Sequence, residues 1–365
     1  MHETLGREGR AYGGKGDRES SADAHIAVVR ALHGLGDMLC AVPALAALRR
    51  AHPGAHVTLI GFPACRWLLE RFGGLVDALV PFPGFPGIPE KPYSFSALCA
   101  FLHRAAASPY DLAIQMHGNG TVSNAFTALL GARTIAGLYR PGQYRPAEDT
   151  FFPYPERGSE IHRWLFLTEA LRCPSDDDRL TFPVTEADRE ALRSHTVLGA
   201  LPERGFVCVH AGARNPSRRW PAERFARVAD ALAERGYDVV LTGTATERPA
   251  AEAVAAAMRH TAINAAGDTP LGAAAALLEK AALLLTNDTG VSHLAASLRT
   301  PSVVVFLASD PDRWAPIDRE RHRAVVAHGL VTRPLERMLA SRCAVPETSE
   351  VLGEALDVMN GVYGG

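Results

Sequence analysis

Residues 25–40 read HIAVVRALHGLGDMLC, and the fold of the chain turns on what this stretch is. Its first half is a short apolar run, of the kind that fills a parallel strand covered on both faces. Gly34 and Gly36 then lead into Asp37, and beyond it Leu39, Val42, Leu45 and Leu48 recur at threes along one helix face. Pro43 falls inside that segment and predicts a kink or a restart. Strand, glycine turn and helix together form the first unit of a doubly wound sheet.

The same unit repeats along the chain. HVTLIGF (56–62), ALVPF (78–82) and YDLAIQM (110–116) read as further strands, with helical stretches at 65–73 and 96–107 between them. NAFTALLGA returns to helix and RTIAGL to strand, after which 140–158 reads as a long loop and 160–173 as one more helix. The polar, proline-bearing segment 174–186 reads as a crossing between domains. The alternation then restarts with GFVCVHAGA (205–213), DVVLTG, TAINAAG, ALLLTND and PSVVVFLAS as strands, and SEVLGEALDVMNGVY closes the chain as a helix. The expected division is a disordered extension over 1–24, Rossmann-like domains over 25–185 and 186–345, and a terminal helix over 346–365.

Composition sets bounds on the chemistry. The 365 residues suit two domains of roughly 150 residues each. A hydrophobic content of 47% with 21% charged residues is that of a globular protein. A net charge of −2 gives no global attraction to nucleic acid, though local basic clusters leave peripheral contact with a membrane surface open. The six cysteines are scattered without a C-x-x-C pair, and residues 1–24 lack the apolar core of a signal peptide. A cytoplasmic protein with reduced thiols is the expectation.

Several turns carry candidate chemistry. Gly34-Leu35-Gly36 opens like a dinucleotide fingerprint, but Leu39 stands where its third glycine belongs, and the second strand ends in Gly61-Phe62 instead of a ribose-binding acid. This counts against a nicotinamide dehydrogenase. Asp37 is either the N-cap of its helix or a general base at the carboxyl edge of the sheet. HAGARNPSRRWPAERF (210–225) sets Arg214, Arg218 and Arg219 between a strand and a helix, as a solvated basic loop or a phosphate cradle. In LTGTATERP (241–249), Glu247 either caps its helix or accepts from ribose hydroxyls. In LLLTNDTGVSHLAASL (283–298), the Thr289 and Gly290 amides would face an anion, Asp288 would hold sugar hydroxyls, and His293 is a core or site residue without metal-ligand spacing. Asp310, Asp312 and Arg313 follow the last strand in a loop beside the cleft.

Taken in order, GLGDMLCAVPAL, HAGARNPSRRWPAERF, TGTATE and NDTGVSHLAA resemble the heptosyltransferases of glycosyltransferase family 9, from about residue 25 to residue 326. The resemblance implies the GT-B fold, two Rossmann-like domains facing a cleft. It implies Asp37 as the base on the acceptor hydroxyl, and a donor, typically ADP-heptose, bound mainly by the second domain. Arg218 and the Thr289-Gly290 turn would hold the diphosphate, Glu247 the ribose and Asp288 the donor sugar. Displacement would be direct and inverting, without metal or other cofactor. The family commonly carries lysine where this chain has Arg218, and arginine can grip phosphate bidentately. The loop 83–92 and the tyrosine-rich stretch 139–154 match nothing in the family pattern.

The expected donor-binding set is therefore Arg214, Arg218, Arg219, Thr242, Gly243, Glu247, Asp288, Thr289, Gly290 and His293, with Gly36, His117 and Asn119 on the acceptor side. The partners expected are a nucleotide-sugar and a glycan or small-molecule acceptor. A GT-B enzyme with another donor, a nucleotide-sugar epimerase and a non-catalytic nucleotide-sugar-binding protein stand as alternatives.

Overall fold

In the computed structural model, which describes residues 24–330 and 344–363, the apolar runs pair into two six-stranded sheets. The extension expected over 1–24 lies, apart from Ala24, outside the described residues. The first sheet holds β1 (His25–Val29), β2 (His56–Gly61), β3 (Ala78–Pro81), β4 (Leu112–Gln115), β5 (Thr134–Tyr139) and β6 (Phe151–Pro153), in the order β3-β2-β1-β4-β5-β6. The second holds β7 (Phe206–His210), β8 (Asp238–Leu241), β9 (Ile263–Asn264), β10 (Leu283–Asn287), β11 (Ser302–Phe306) and β12 (His322–Val326), in the order β12-β11-β10-β7-β8-β9. Every pairing is parallel. β7, β10 and β11 are buried along their whole length, since helices cover both faces. This is the GT-B architecture expected.

Both sheets have the same topology, and in each the winding reverses once, between β1 and β4 and between β7 and β10. Such a switch point leaves a crevice at the carboxyl ends of the strands, where open α/β sheets bind ligands. The connecting helices are α1 (Leu35–Leu39), α2 (Val42–Ala51), α3 (Trp67–Arg71), α4 (Phe95–Ala107), α5 (Ser123–Ala128) and α6 (Glu160–Ala170) in the first half. The second has α7 (Glu186–Arg193), α8 (Ala222–Ala233), α9 (Arg248–Ala257), α10 (Leu271–Lys280), α11 (Gly290–Leu298), α12 (Pro311–Trp314) and α13 (Thr348–Tyr363).

Three local readings are corrected, and one is met. The restart expected at Pro43 is present: the helix breaks at Cys40-Ala41 and resumes with Pro43 in the first turn of α2. Val42, Leu45 and Leu48 enter the first core, while Leu39 joins a cluster with Leu284 and Leu294 of the second half. The stretch 140–158 contains β6, an edge strand where Pro153 is tolerated. β12 and α7 also form where the reading placed no element. α7 opens with a Thr185–Asp188 capping box, and Asp188 also accepts both Nη atoms of Arg71 at 2.5 and 2.9 Å, tying the crossing to α3. α13 packs into the second core through Val351, Ala355 and Val358.

The halves touch where α1 meets α11. A Cβ on Gly36 would stand 2.5 Å from His293 Cδ2 and 3.1 Å from Gly290 Cα. A Cβ on Gly290 would reach 3.0 Å from Gly36 N. Two glycines thus let one helix start rest on the other, and bring the two switch points face to face. Among the described residues no helix is long and apolar enough to cross a membrane.

Candidate active site

Asp37 lies in the first turn of α1, but the N-cap is Gly34, so the capping reading of Asp37 is corrected: it sits three positions inside the cap. Its carboxylate folds back over Gly34, where any Cβ would collide with it. Burial pushes its pKa above the ordinary aspartate value; Arg30 pulls it down, Glu160 pushes it up, and Arg214 and Arg313 pull it down. Arg30 directly follows β1 and is fully buried, donating to Met116 O at 2.7 Å and to Asp37 O. One guanidinium thus fixes the loops after β1 and β4, on either side of the first switch point.

Glu160 stands behind this arrangement, 2% exposed at the start of α6. It accepts from Trp164 Nε1 at 3.0 Å, Arg163 Nη1 at 3.2 Å and Arg313 Nε at 2.9 Å, with Arg30 at 3.8 Å. Arg313 belongs to α12 in the second half, so this buried carboxylate joins both halves beside Asp37. Although burial alone would raise it, the three arginines hold the Glu160 pKa below the usual glutamate value.

At the second switch point the loops after β7 and β10 meet. Asn287 staples them: its Nδ2 donates to Ala211 O at 2.8 Å and its Oδ1 accepts from Trp220 N at 2.8 Å. Trp220 is buried and donates through Nε1 to Pro346 O, which anchors the arginine loop from below. Arg218 reaches Asp288 Oδ2 at 3.1 Å, and Ser309 Oγ donates to the same oxygen. Asp288 is 2% exposed; burial raises its pKa, Ser309 and Arg218 lower it, and the charge of Asp37 across the cleft raises it. Arg214 is exposed and close enough to act on Asp37, whereas Arg219 turns its Nε to Ala213 O within its own loop.

Thr289 is the N-cap residue of α11, with Gly290 at the first helical position. The first amides of a helix have no carbonyl partner inside it and carry its positive end. His293 is buried, with Nδ1 3.6 Å from Cys40 Sγ, and burial lowers its pKa to about 4. It packs the contact between halves.

Glu247 fulfils its capping reading: Oε2 accepts from Thr244 N at 2.9 Å and Thr244 Oγ1 at 2.8 Å. His210 Nε2 stands 3.6 Å from Oε1, and with the Thr244 groups it holds the carboxyl down to about 2. Thr242 Oγ1 meets His210 Nδ1 at 3.2 Å. A Cβ on Gly212 would lie 2.6 Å from the Glu247 carboxylate, and one on Gly243 would stand 3.2 Å from Glu247 Cβ. On the first half, His117 is buried after β4, and Asn119 Oδ1 accepts from Thr121 N within the same turn. Among the described residues no group of three or more His, Cys, Asp or Glu is placed to hold a metal ion.

The family model of glycosyltransferase family 9 (heptosyltransferase) matches residues 99–331. The chain belongs to glycosyltransferase family 9. It is 32% identical over 318 residues to lipopolysaccharide heptosyltransferase 2 of Salmonella typhimurium, covering 78% of this chain and 84% of that protein. Among solved structures, a family 9 glycosyl transferase from Veillonella parvula superposes with a TM-score of 0.72 at 23% identity, covering 92% and 97% of the two chains. The E. coli ADP-heptose lps heptosyltransferase II gives a TM-score of 0.70 at 23% identity, covering 92% and 98%. The resemblance read from the four motifs is borne out, and the protein is a heptosyltransferase-like glycosyltransferase of GT-B fold.

Within this family 9 site, the structure gathers Gly36, Asp37, Arg214, Arg218, Asp288, Gly290 and His293 around one contact between the halves. Thr242, Gly243 and Glu247 form a neighbouring group on β8 and its turn. Sequence reading missed Arg30, Glu160, Asn287 and Ser309 as site-building residues, and left Arg313 at the margin. Arg30 gave a faint signal, a charge straight after a buried run; the others are revealed only by partners far away in the chain.

Proposed function

We propose that the chain is an inverting glycosyltransferase that moves a heptose from ADP-heptose to a hydroxyl of a glycan acceptor. The observation that carries this reading is Asp37 at the first switch point facing the arginine loop, Asp288 and the start of α11 at the second. The names of its relatives supply the chemistry: the Salmonella protein is a lipopolysaccharide heptosyltransferase, and the E. coli structure an ADP-heptose enzyme.

In this reading residues 25–185 receive the acceptor and 186–345 the donor. Asp37 takes the acceptor proton, the acceptor oxygen bonds to the anomeric carbon from the face opposite the phosphate, and the bond to ADP breaks. The proton rests on the Asp37 carboxylate and the charge on departing ADP. Arg214, Arg218 and the amides of Thr289 and Gly290 meet that charge. Asp288, partly neutralised by Arg218, accepts from donor-sugar hydroxyls, and the Glu247 carboxylate, on the Oε1 side that faces His210, accepts from ribose. No divalent ion is required, so a chelator leaves turnover unchanged. Five free cysteines among the described residues support a reducing, cytoplasmic setting.

A melting-temperature panel with ADP, ADP-heptose, UDP, GDP and NAD tests the donor. A ligand at about 100 times its dissociation constant adds about 2.7 kcal/mol. Stabilisation by ADP and ADP-heptose above the others is expected, and a response confined to UDP, GDP or NAD overturns the donor assignment.

A further inference from the structure

Three loops of the first half converge on its switch crevice, those following β1, β3 and β4. His33 stacks on Phe62 at 3.5 Å and holds Glu90 O at 3.1 Å through Nε2. Lys91 Nζ donates to Phe82 O at 2.8 Å, closing the other side of the 83–92 loop. These contacts place the Glu90 carboxylate over His117, with Oε2 3.8 Å from Nε2, too far for a hydrogen bond.

Both groups are left wanting. Glu90 Oε2 and His117 Nδ1 are buried without a hydrogen-bond partner, and His117 is only 9% exposed. A buried polar atom left unmet is destabilising and rare in folded proteins, so two in one crevice point to a ligand that meets them. Burial, and after it Arg30, lowers the His117 pKa to about 4, so the ring is neutral at pH 7 and does not neutralise Glu90. Arg30 itself is fully buried and holds Met116 O, the carbonyl just before His117, as well as Asp37 O. The pair therefore sits one guanidinium away from the proposed base.

We infer that Glu90 and His117 form an acceptor subsite that takes adjacent hydroxyls of an uncharged sugar ring. The inference rests on the glycosyltransferase reading above and names the acceptor class for it. A carboxylate accepts two hydroxyls at once, and a neutral imidazole can donate to one and accept from another. A phosphate or acidic sugar here meets an uncompensated carboxylate, since Lys91 is turned to a carbonyl and Arg30 is enclosed.

The test is calorimetric and needs no turnover. ADP is titrated first, then two probes in its presence: a dephosphorylated lipopolysaccharide core oligosaccharide ending in heptose, and the same oligosaccharide with its phosphates. The uncharged probe is expected to bind wild type on the order of tenfold tighter. Glu90→Gln should weaken the uncharged probe by a similar factor, narrow the gap between probes and leave ADP affinity unchanged. His117→Ala should weaken both probes, and since it could unfold the first half, the partly exposed Glu90→Gln decides. Tighter binding of the phosphorylated probe, equal binding, binding of neither, or an unchanged ratio in Glu90→Gln overturns the inference. If ADP binds while the preference is missing, only the acceptor assignment falls; if ADP fails to bind, the donor reading falls and takes the inference with it.

Discussion

Asp37 is pulled two ways, and the balance bears on its chemistry. Burial favours its neutral form, while Arg30, Arg214 and Arg313 favour the carboxylate. The net displacement is upward, which makes it a better proton acceptor than an exposed aspartate. Because the base must be deprotonated, kcat/KM should fall on the acid side, with an inflection above the ordinary aspartate value of 3.8. A pH–rate profile with no acid limb above that value would contradict the assignment. Asp37 and Asp288 were legible because glycine turns at strand ends announce them. Arg30 and Glu160 were not, since a buried charge declares itself only through its partners, here 130 residues apart (about the span between one strand end and a distant helix start).

At the scale of elements, the crossing of α1 over α11 decides whether Asp37 faces the donor half. Gly36→Ala puts a methyl group against the His293 ring and the Gly290 backbone, and only the ring can yield. It should destabilise the protein by about 1–3 kcal/mol and lower kcat through Asp37 on the same helix; unchanged melting and kcat would refute this close approach. In the turn after β8, Glu247→Ala removes both Thr244 contacts, costing about 1 kcal/mol and weakening ADP, as denaturation and calorimetry would show. A loss of stability with ADP affinity intact would leave Glu247 a cap alone. The buried strands were readable from their apolar runs. β6 and β12 were not, because edge strands bury one side and carry proline, arginine or histidine that break the pattern. α7 hid in the crossing because only Leu192 of its residues is buried, so it has almost no apolar face to read.

For the whole molecule, the two halves are joined by a charge centre as well as by packing. Glu160→Gln leaves Arg30, Arg163 and Arg313 without their carboxylate, and should cost about 3–5 kcal/mol, measured by chemical denaturation. Acid adds a second strain. His117, His293 and His322 are buried with folded pKa values lowered from 6.5 to about 4. Above 6.5 both folded and unfolded chains keep them neutral and nothing is lost. As pH falls toward 4 the unfolded chain takes up protons that the folded chain refuses, so stability drops by about 1.4 kcal/mol per histidine per pH unit. Flat stability from pH 6.5 to 5 would contradict that burial. The two-domain layout was plain from the repeated alternation; how the domains meet was not, because Gly36 and Gly290 read as turn glycines until their backbones are seen against each other.

In the proposed reaction Asp37 takes the acceptor proton while the opposite half holds ADP-heptose. The direct measurement compares wild type with Asp37→Asn, following heptose transfer to a core oligosaccharide by mass spectrometry and ADP affinity by calorimetry on the same preparations. A loss of turnover on the order of 10²–10⁴-fold with ADP affinity unchanged is expected. Transfer by Asp37→Asn at the wild-type rate would contradict it.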